Sequence, residues 1–344
     1  QSLQLQGDIV ATASTGMQPV IPPALAYDKA MAHALAANLA QVSMGLSGHF
    51  EQRGNRTSFS LTAPLEARGA KGALSNLVWS GGGLTGDAVL SARFNYAMLR
   101  GANISTRGAI SWQAGRYTFQ PSQCARATLT AFHPAASDLA RDVRANICAS
   151  AGRPLLAGEG AAWTFTGDAR GASAFLPLGN AQVEQAAAHL AFEGVGSDFH
   201  GTATVSAGQV SDRLKPIRFK PMLGRGSVAL KGGVWRGRFA MTDSDKEPLG
   251  DVSFSHVLAS SSGTAHIAAP KLAFVPDKLQ PEDISPLLAA FRRAEGMASF
   301  TGDIDWSKSE IKSRGELSID SLNFLTPLGK ATAVKTNLVF TSLL

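Results

Sequence analysis

The sequence predicts a mainly β protein of many short strands joined by tight turns, and three observations lead there. Charged residues are only 17% of the 344-residue chain, against 44% hydrophobic, too little charge for a solvated helical bundle. Glycine reaches 35 residues, and glycine punctuates hairpins where the backbone needs positive φ. Several stretches alternate apolar and polar residues, the period that turns one strand side to a core and the other to water. The apolar content excludes a wholly disordered chain.

Taken in chain order, Pro22-Pro23 precedes an Ala- and Leu-rich segment over 24–43. Met31, Leu35, Leu39 and Val42 recur there at helical spacing. A second helix is expected over 135–149, after Pro134, with Ser137 or Asp138 as its cap and Leu139, Val143 and Ile147 four residues apart. Pro281 to Ala294 reads as a third, shorter helix. The rest reads as about eighteen strands. Ser227 to Lys231 alternates, Gly232-Gly233 supplies a turn, and Val234 to Met241 runs on. Asp251 to Leu258 puts Val252, Phe254, His256 and Leu258 on one side; Glu316 to Phe324 and Val334 to Phe340 form another strand pair. A faint repeat of 62 residues links Leu190-Ala-Phe192 and Gly201-Thr-Ala203 to Val252-Ser-Phe254 and Gly263-Thr-Ala265. Trp79, Trp112, Trp163, Trp235 and Trp306 each sit in a strand-like context. Repetition of this kind fits a sheet that grows along one axis. Two segments are expected, 1–180 with the two Ala-rich helices and 181–344.

A net charge of +6 admits an anionic partner, but the basic residues are scattered and no nucleic-acid arm is present. Between Ala88 and Ser137 there is no Asp or Glu while Arg93, Arg100, Arg107, Arg116 and Arg126 occur; a solvated outer face is the reading preferred over a lipid-phosphate surface. Cys124 and Cys148 lack metal or redox-motif spacing. A disulfide in an oxidising compartment and two buried thiols are both compatible with the spacing. No apolar run is long enough for a transmembrane helix. The start at Gln1 and the strand-like end over 334–344 read as a portion of a longer protein, so missing targeting signals carry no weight.

Motifs for chemistry fail on context. Gly81 to Gly86 spells GGGLTG, but a strand-like segment follows where a dinucleotide fold needs a helix. Asp243 to Glu247 begins like a calcium loop, yet Pro248 stands where the turn glycine belongs. The histidines at 33, 49, 133, 189, 200, 256 and 266 show no HxH or HExxH spacing, and His256 reads as a core or rim histidine. No nucleophile elbow or phosphate loop is found, so neither an enzyme nor a cofactor is expected.

The stretch from Gly224 to Leu344 resembles the YdbH-type branch of the AsmA-like family, which includes TamB-like proteins. The residues that carry this are Gly226 to Gly237 (GSVALKGGVWRG), Ser255-His256, Gly263 to Phe274 (GTAHIAAPKLAF) and Leu279 to Leu287 (LQPEDISPL). Gly302 to Trp306 (GDIDW), Gly315 to Phe324 (GELSIDSLNF) and Val334 to Leu343 (VKTNLVFTSL) complete the set. The first 180 residues match in texture only. The resemblance implies an elongated, strongly curved antiparallel β-sheet, a groove with an apolar inner face and a few short α-helices. It implies non-enzymatic carriage of phospholipid between membranes of a bacterial envelope. It also implies a periplasmic location, an inner-membrane anchor outside this chain, and a small outer-membrane lipoprotein partner that adds a strand.

Exposing acyl chains to water costs about 0.8 kcal/mol per CH₂, so a lipid path needs apolar side chains on every second residue of adjacent strands. Alternation supplies Val228, Leu230, Phe239, Met241, Val252, Phe254 and Leu258, then Ile267, Leu272, Phe274, Leu317, Ile319, Leu338 and Phe340. Two other readings stay open: a β-solenoid adhesin or carbohydrate-binding protein with a closed interior, and a TamB-like helper of outer-membrane protein assembly.

Overall fold

Alternation becomes strand wherever the chain can pair with a neighbour. The structure, a computed structural model, describes residues 5–11, 43–53, 56–67, 70–80, 82–96, 99–133, 138–195, 198–307 and 309–343. Among these residues there are 20 strands. The first seven are β1 (Leu5–Ala11), β2 (Ser43–Arg53), β3 (Arg56–Ala67), β4 (Ala70–Ser80), β5 (Gly83–Tyr96), β6 (Leu99–Gln113) and β7 (Arg116–Pro121). Then come β8 (Ala125–Phe132), β9 (Ala140–Ala149), β10 (Leu156–Glu159), β11 (Ala162–Leu176), β12 (Ala181–Val195) and β13 (Asp198–Asp212). The last seven are β14 (Met222–Lys231), β15 (Val234–Thr242), β16 (Pro248–Val257), β17 (Ser262–Phe274), β18 (Arg292–Trp306), β19 (Ile311–Thr326) and β20 (Gly329–Phe340). Successive strands from β14 to β20 pair antiparallel, as do those from β1 to β7. The protein is mainly β and antiparallel, and among the described residues the helices are few and short.

The chain forms two compact units. The first comprises 1–131, 144–170 and 189–201; the second comprises 132–143, 171–188 and 202–344.

Two helix expectations are corrected or shortened. Residues 140–149 are strand β9 rather than part of a helix over 135–149. Leu139, Val143 and Ile147 are four apart, and an even spacing satisfies the period of a strand as well as that of a helix. Asp142 takes a left-handed φ of 51°, and from Val143 onward half-buried and exposed residues alternate to Ile147. Pairing with β11 and the Cys124–Cys148 disulfide hold the segment extended. The third helix contracts to α1, Pro281–Ile284, and a single 3₁₀ turn over Pro286–Leu288. Pro286 pushes the preceding residue out of the α region, and Ser285 is extended at φ −146°. The helix expected over 24–43 falls on residues 24–42, outside the described residues, and Ser43 opens β2.

The discarded motifs are turns. Ser80 pairs with Gly83, so the glycine-rich stretch is a hairpin with Gly82 at φ 75°. Asp243 accepts from the Glu247 N–H at 2.8 Å through its carboxylate and closes the β15–β16 turn. Gly232 and Gly233 have φ 56° and 70°, the two positive angles of a type I′ hairpin that only glycine adopts freely.

In the second unit a connection over 213–221 is fastened at several points. The Asp212 carboxylate is fully buried while the Arg218 side chain keeps 31% exposure. Asp212 accepts from Arg218 N–H at 2.6 Å, from Arg218 Nε at 3.1 Å and from Leu214 N–H at 3.2 Å. These donors hold its carboxyl well below the usual carboxylate range, the Arg218 side chain contributing most. Arg218 also donates to the Gly179 carbonyl. Lys220 N–H donates to the Ile284 carbonyl at 2.9 Å, and the Ser285 hydroxyl donates to the Arg218 carbonyl. The segment carrying α1 is thus tied down from one side. From the other, Gln280 accepts from Ala294 N–H at 2.7 Å and donates to the Ala294 carbonyl at 3.1 Å.

Candidate functional site

Cross-strand partners in an antiparallel ladder point to the same side of the sheet, so register decides which residues share a face. In the second unit it runs Leu230, Trp235, His256, Gly263, Trp306 and Ile311 across six strands. Two residues along each strand, the next row is Val228, Gly237, Phe254, Ala265 and Ile304. The third is Gly226, Phe239, Val252, Ile267, Gly302, Gly315 and Phe340. Ala269, Phe300, Leu317 and Leu338 follow, and past a bulge Leu272 with Ala298 and Ile319, then Phe274 with Gly296, Leu322 and Val334. No charged residue stands in any of these rows.

The opposite face is polar. His266, Asp303 and Arg314 are partners in one row, with His266 on Asp303 at 2.8 Å and Arg314 on Asp303 at 3.1 Å. These neighbours lower the Asp303 pKa, the His266 hydrogen bond foremost. Arg238 pairs with Asp251 at 3.2 Å on the same side. The sheet is amphipathic strand by strand.

Glycines make room on the apolar side. A side chain at Gly237 would enter the Phe254 ring, and one at Gly263 would enter the Trp306 ring. Aromatic rings therefore lie flat over facing glycines instead of standing up from the sheet. Phe254 also stacks on Phe239, with centroids 6.4 Å apart and planes 9° off parallel.

The thirteen strand residues among the sequence-selected positions fall on this one face, and the burial pattern divides them. Leu272 and Phe274 are buried with Leu249, Ala294, Ala298 and Leu322 beneath Leu279, and Met241, Leu317, Ile319 and Ile284 pack against that cluster. The α1 segment is thus the roof of a closed core over the far end of the face. Val228, Phe239, Val252, Phe254 and Ile267 are half-buried, Leu338 and Phe340 are 46% and 38% exposed, and Leu230 is buried. All of these but Leu230 form the open part. Leu343 turns back onto Gly302, Gly315 and the Phe300 ring, covering one patch of it. Leu258 lies just past the end of β16, in the turn, where its N–H donates to the Gly233 carbonyl at 2.9 Å. Alternation alone placed it one position too far along the strand.

Sequence reading missed Trp235, Phe300, Ile304, Trp306 and Leu322 as members of the face. Phe300, Ile304 and Trp306 share one parity in β18 and were legible; Trp235 needed the register with His256. His256 is 1% exposed, its Nδ1 accepts from Trp306 Nε1 at 3.1 Å, and burial holds its pKa below the ordinary value.

The first unit has an apolar face of its own. Leu84, Trp112, Tyr117, Gly158 and Trp163 form one row and Ile110, Phe119, Leu156 and Phe165 the next. Trp163 and Phe199 have centroids 6.0 Å apart. Arg93, Arg107 and Arg116 have the other parity in β5–β7 and are exposed, with Arg116 on Glu159 at 3.0 Å. Cys124 and Cys148 are disulfide-bonded within this unit.

Among the described residues no group of His, Cys, Asp and Glu is arranged to hold a metal ion, and no helix is long and apolar enough to cross a membrane. Comparison with curated proteins and with solved structures finds no match. A family model does match, over residues 3–344: YdbH-like, described as intermembrane phospholipid transport protein YdbH. A full-length match to a transport family, on a chain whose sheet is apolar along one side and ionic along the other, extends the likeness of residues 224–344 to the first 180 as well: the chain belongs to the YdbH-like family, one of intermembrane phospholipid transport and not of enzymes.

Proposed function

We propose that the open part of the second unit's apolar face carries phospholipid acyl chains, as one stretch of a path between the two membranes of a bacterial envelope. The observation that supports this most is the half-buried row Phe239, Val252 and Ile267 beside Phe254, uncharged across three strands. Leaving such a face in water forfeits about 25 cal/mol for each Å² that a hydrocarbon chain would cover. A chain sliding from row to row exchanges one apolar contact for another and meets no tight pocket to leave. The polar face with its ion pairs stays in water.

A periplasmic location, an inner-membrane anchor outside residues 1–344 and a small outer-membrane lipoprotein partner belong to the same reading. Strand addition is supported by β20, which pairs with β19 and leaves Leu338, Val339 and Phe340 exposed.

Native mass spectrometry of the protein extracted gently from a bacterial membrane tests the reading. Co-purifying phospholipid is expected for the unmodified chain, and Phe254→Asp should lose it while remaining folded, because a charge on the open face expels hydrocarbon. Phe274→Asp is the contrast: Phe274 is 5% exposed, so the charge should unfold the core under α1. Phospholipid retained by folded Phe254→Asp contradicts the proposal.

A further inference from the structure

The first row of the apolar face holds two buried donors with nothing to donate to. Trp235 on β15 and His256 on β16 are direct register partners, so their side chains leave the same face with Cβ atoms about 5 Å apart. The Nδ1 of His256 accepts from Trp306 Nε1, and an accepting Nδ1 leaves the proton of a neutral imidazole on Nε2. That Nε2 is buried without a partner, and so is the indole Nε1 of Trp235. Burial favours the neutral imidazole. Buried N–H groups are nearly always paired, and two orphans on facing residues call for one acceptor.

The geometry points to a two-donor site at Trp235 and His256 for an uncharged oxygen acceptor, the acyl-ester carbonyl of a glycerophospholipid. This rests on the reading of the face as an acyl-chain path, and adds where along the strands the ester level of the lipid sits. A carbonyl fits better than a phosphate because both donors are neutral and no Lys or Arg stands in their row. A phosphate taken out of water without a cation beside it is far more costly than an ester. Placement agrees with the anatomy of a lipid. The pair lies at the strand ends beside the 232–233 turn, and the rows of Phe254 and then Phe239 follow at about 7 Å intervals along the strands. An ester held by the pair lays its chain onto those rings. Trp235 Nε1 makes no hydrogen bond that must break before its indole turns towards a ligand.

The test compares a diacyl phospholipid with its dialkyl ether analogue, of equal headgroup and chain length, bound to the unmodified chain and to Trp235→Phe. The ester lipid should bind about threefold to tenfold more tightly than the ether, and Trp235→Phe should narrow that gap. With a ¹³C-labelled ester, the carbonyl stretch of the bound lipid should shift to lower wavenumber in the unmodified chain and return towards the free value in the variant. If Trp235→Phe does not fold, the ester–ether comparison and the infrared shift on the unmodified chain decide. Equal binding of both lipids, with no infrared shift, overturns the site while leaving the acyl-chain reading intact. Displacement of bound lipid by inorganic phosphate overturns it too, by assigning the donors to an anion. Binding of neither lipid contradicts the acyl-chain reading itself.

Discussion

Trp306 Nε1 donates to His256 Nδ1 at 3.1 Å from 50 residues away in sequence, and the contact passes over Gly263, the register partner of both. The two rings are nearly parallel, 15° apart. Three strands are thereby locked by one glycine, one indole and one imidazole. A side chain at Gly263 would meet both the Ser255 carbonyl and the Trp306 ring. Gly263→Val should therefore cost about 2–3 kcal/mol, as overpacking does in a well-filled site. Urea denaturation reads it as a lower midpoint with an unchanged slope. A midpoint equal to that of the unmodified chain would show that the Trp306 ring does not rest on Gly263.

His256 gives an acid sensitivity opposite to that of an ion-paired histidine. Burial holds its folded pKa below the ordinary value, about 6.5 in an unfolded chain. The unfolded chain therefore takes up the proton first as pH falls. The contribution is complete above about pH 6.5 and is lost as pH drops through the folded value. NMR titration of the imidazole should find His256 neutral, with its proton on Nε2, at pH 6.5. An imidazolium at that pH would contradict the burial and the Trp306 hydrogen bond together.

How much of this was legible beforehand depends on range. Asp251 to His256 announced both its strand and its apolar side, because period-two alternation is local. Gly232-Gly233 announced its turn for the same reason. Over 139–147 a spacing of four was ambiguous, and pairing with β11 decided it. Leu272 and Phe274 share the parity of the face but lie in a closed core, since Leu279 and Ile284 reach them from the connection that carries α1, which alternation does not describe. Trp235 was noted only as a strand tryptophan. Its position opposite His256 follows from the length of the β15–β16 turn and the bulge at Met241, neither of which shows in a local pattern.

Asp212 and Arg218 should be the most sensitive pair outside the sheet face. Asp212→Ala leaves Arg218 without its carboxylate and frees the 213–221 connection, at about 2–3 kcal/mol. That is below the 3–5 kcal/mol of a fully buried pair because Arg218 keeps partial contact with water. The Asp212 carboxyl is held below its unfolded value of about 3.9, so its contribution is whole above that pH and is lost as pH falls through the folded value. Denaturation midpoints at pH 7 and pH 3 should differ less in Asp212→Asn than in the unmodified chain. An equal difference in both would place the acid sensitivity elsewhere.

The central claim is that hydrocarbon lies on one side of the second unit's sheet and water on the other. Photo-crosslinking residues substituted one at a time for Phe239, Phe254, Arg238 and His266 test it in cells, since the first two share the apolar face and the last two the ionic one. Phospholipid adducts, identified by mass, are expected at 239 and 254 and not at 238 and 266. Adducts at all four positions, or at none, would contradict the account.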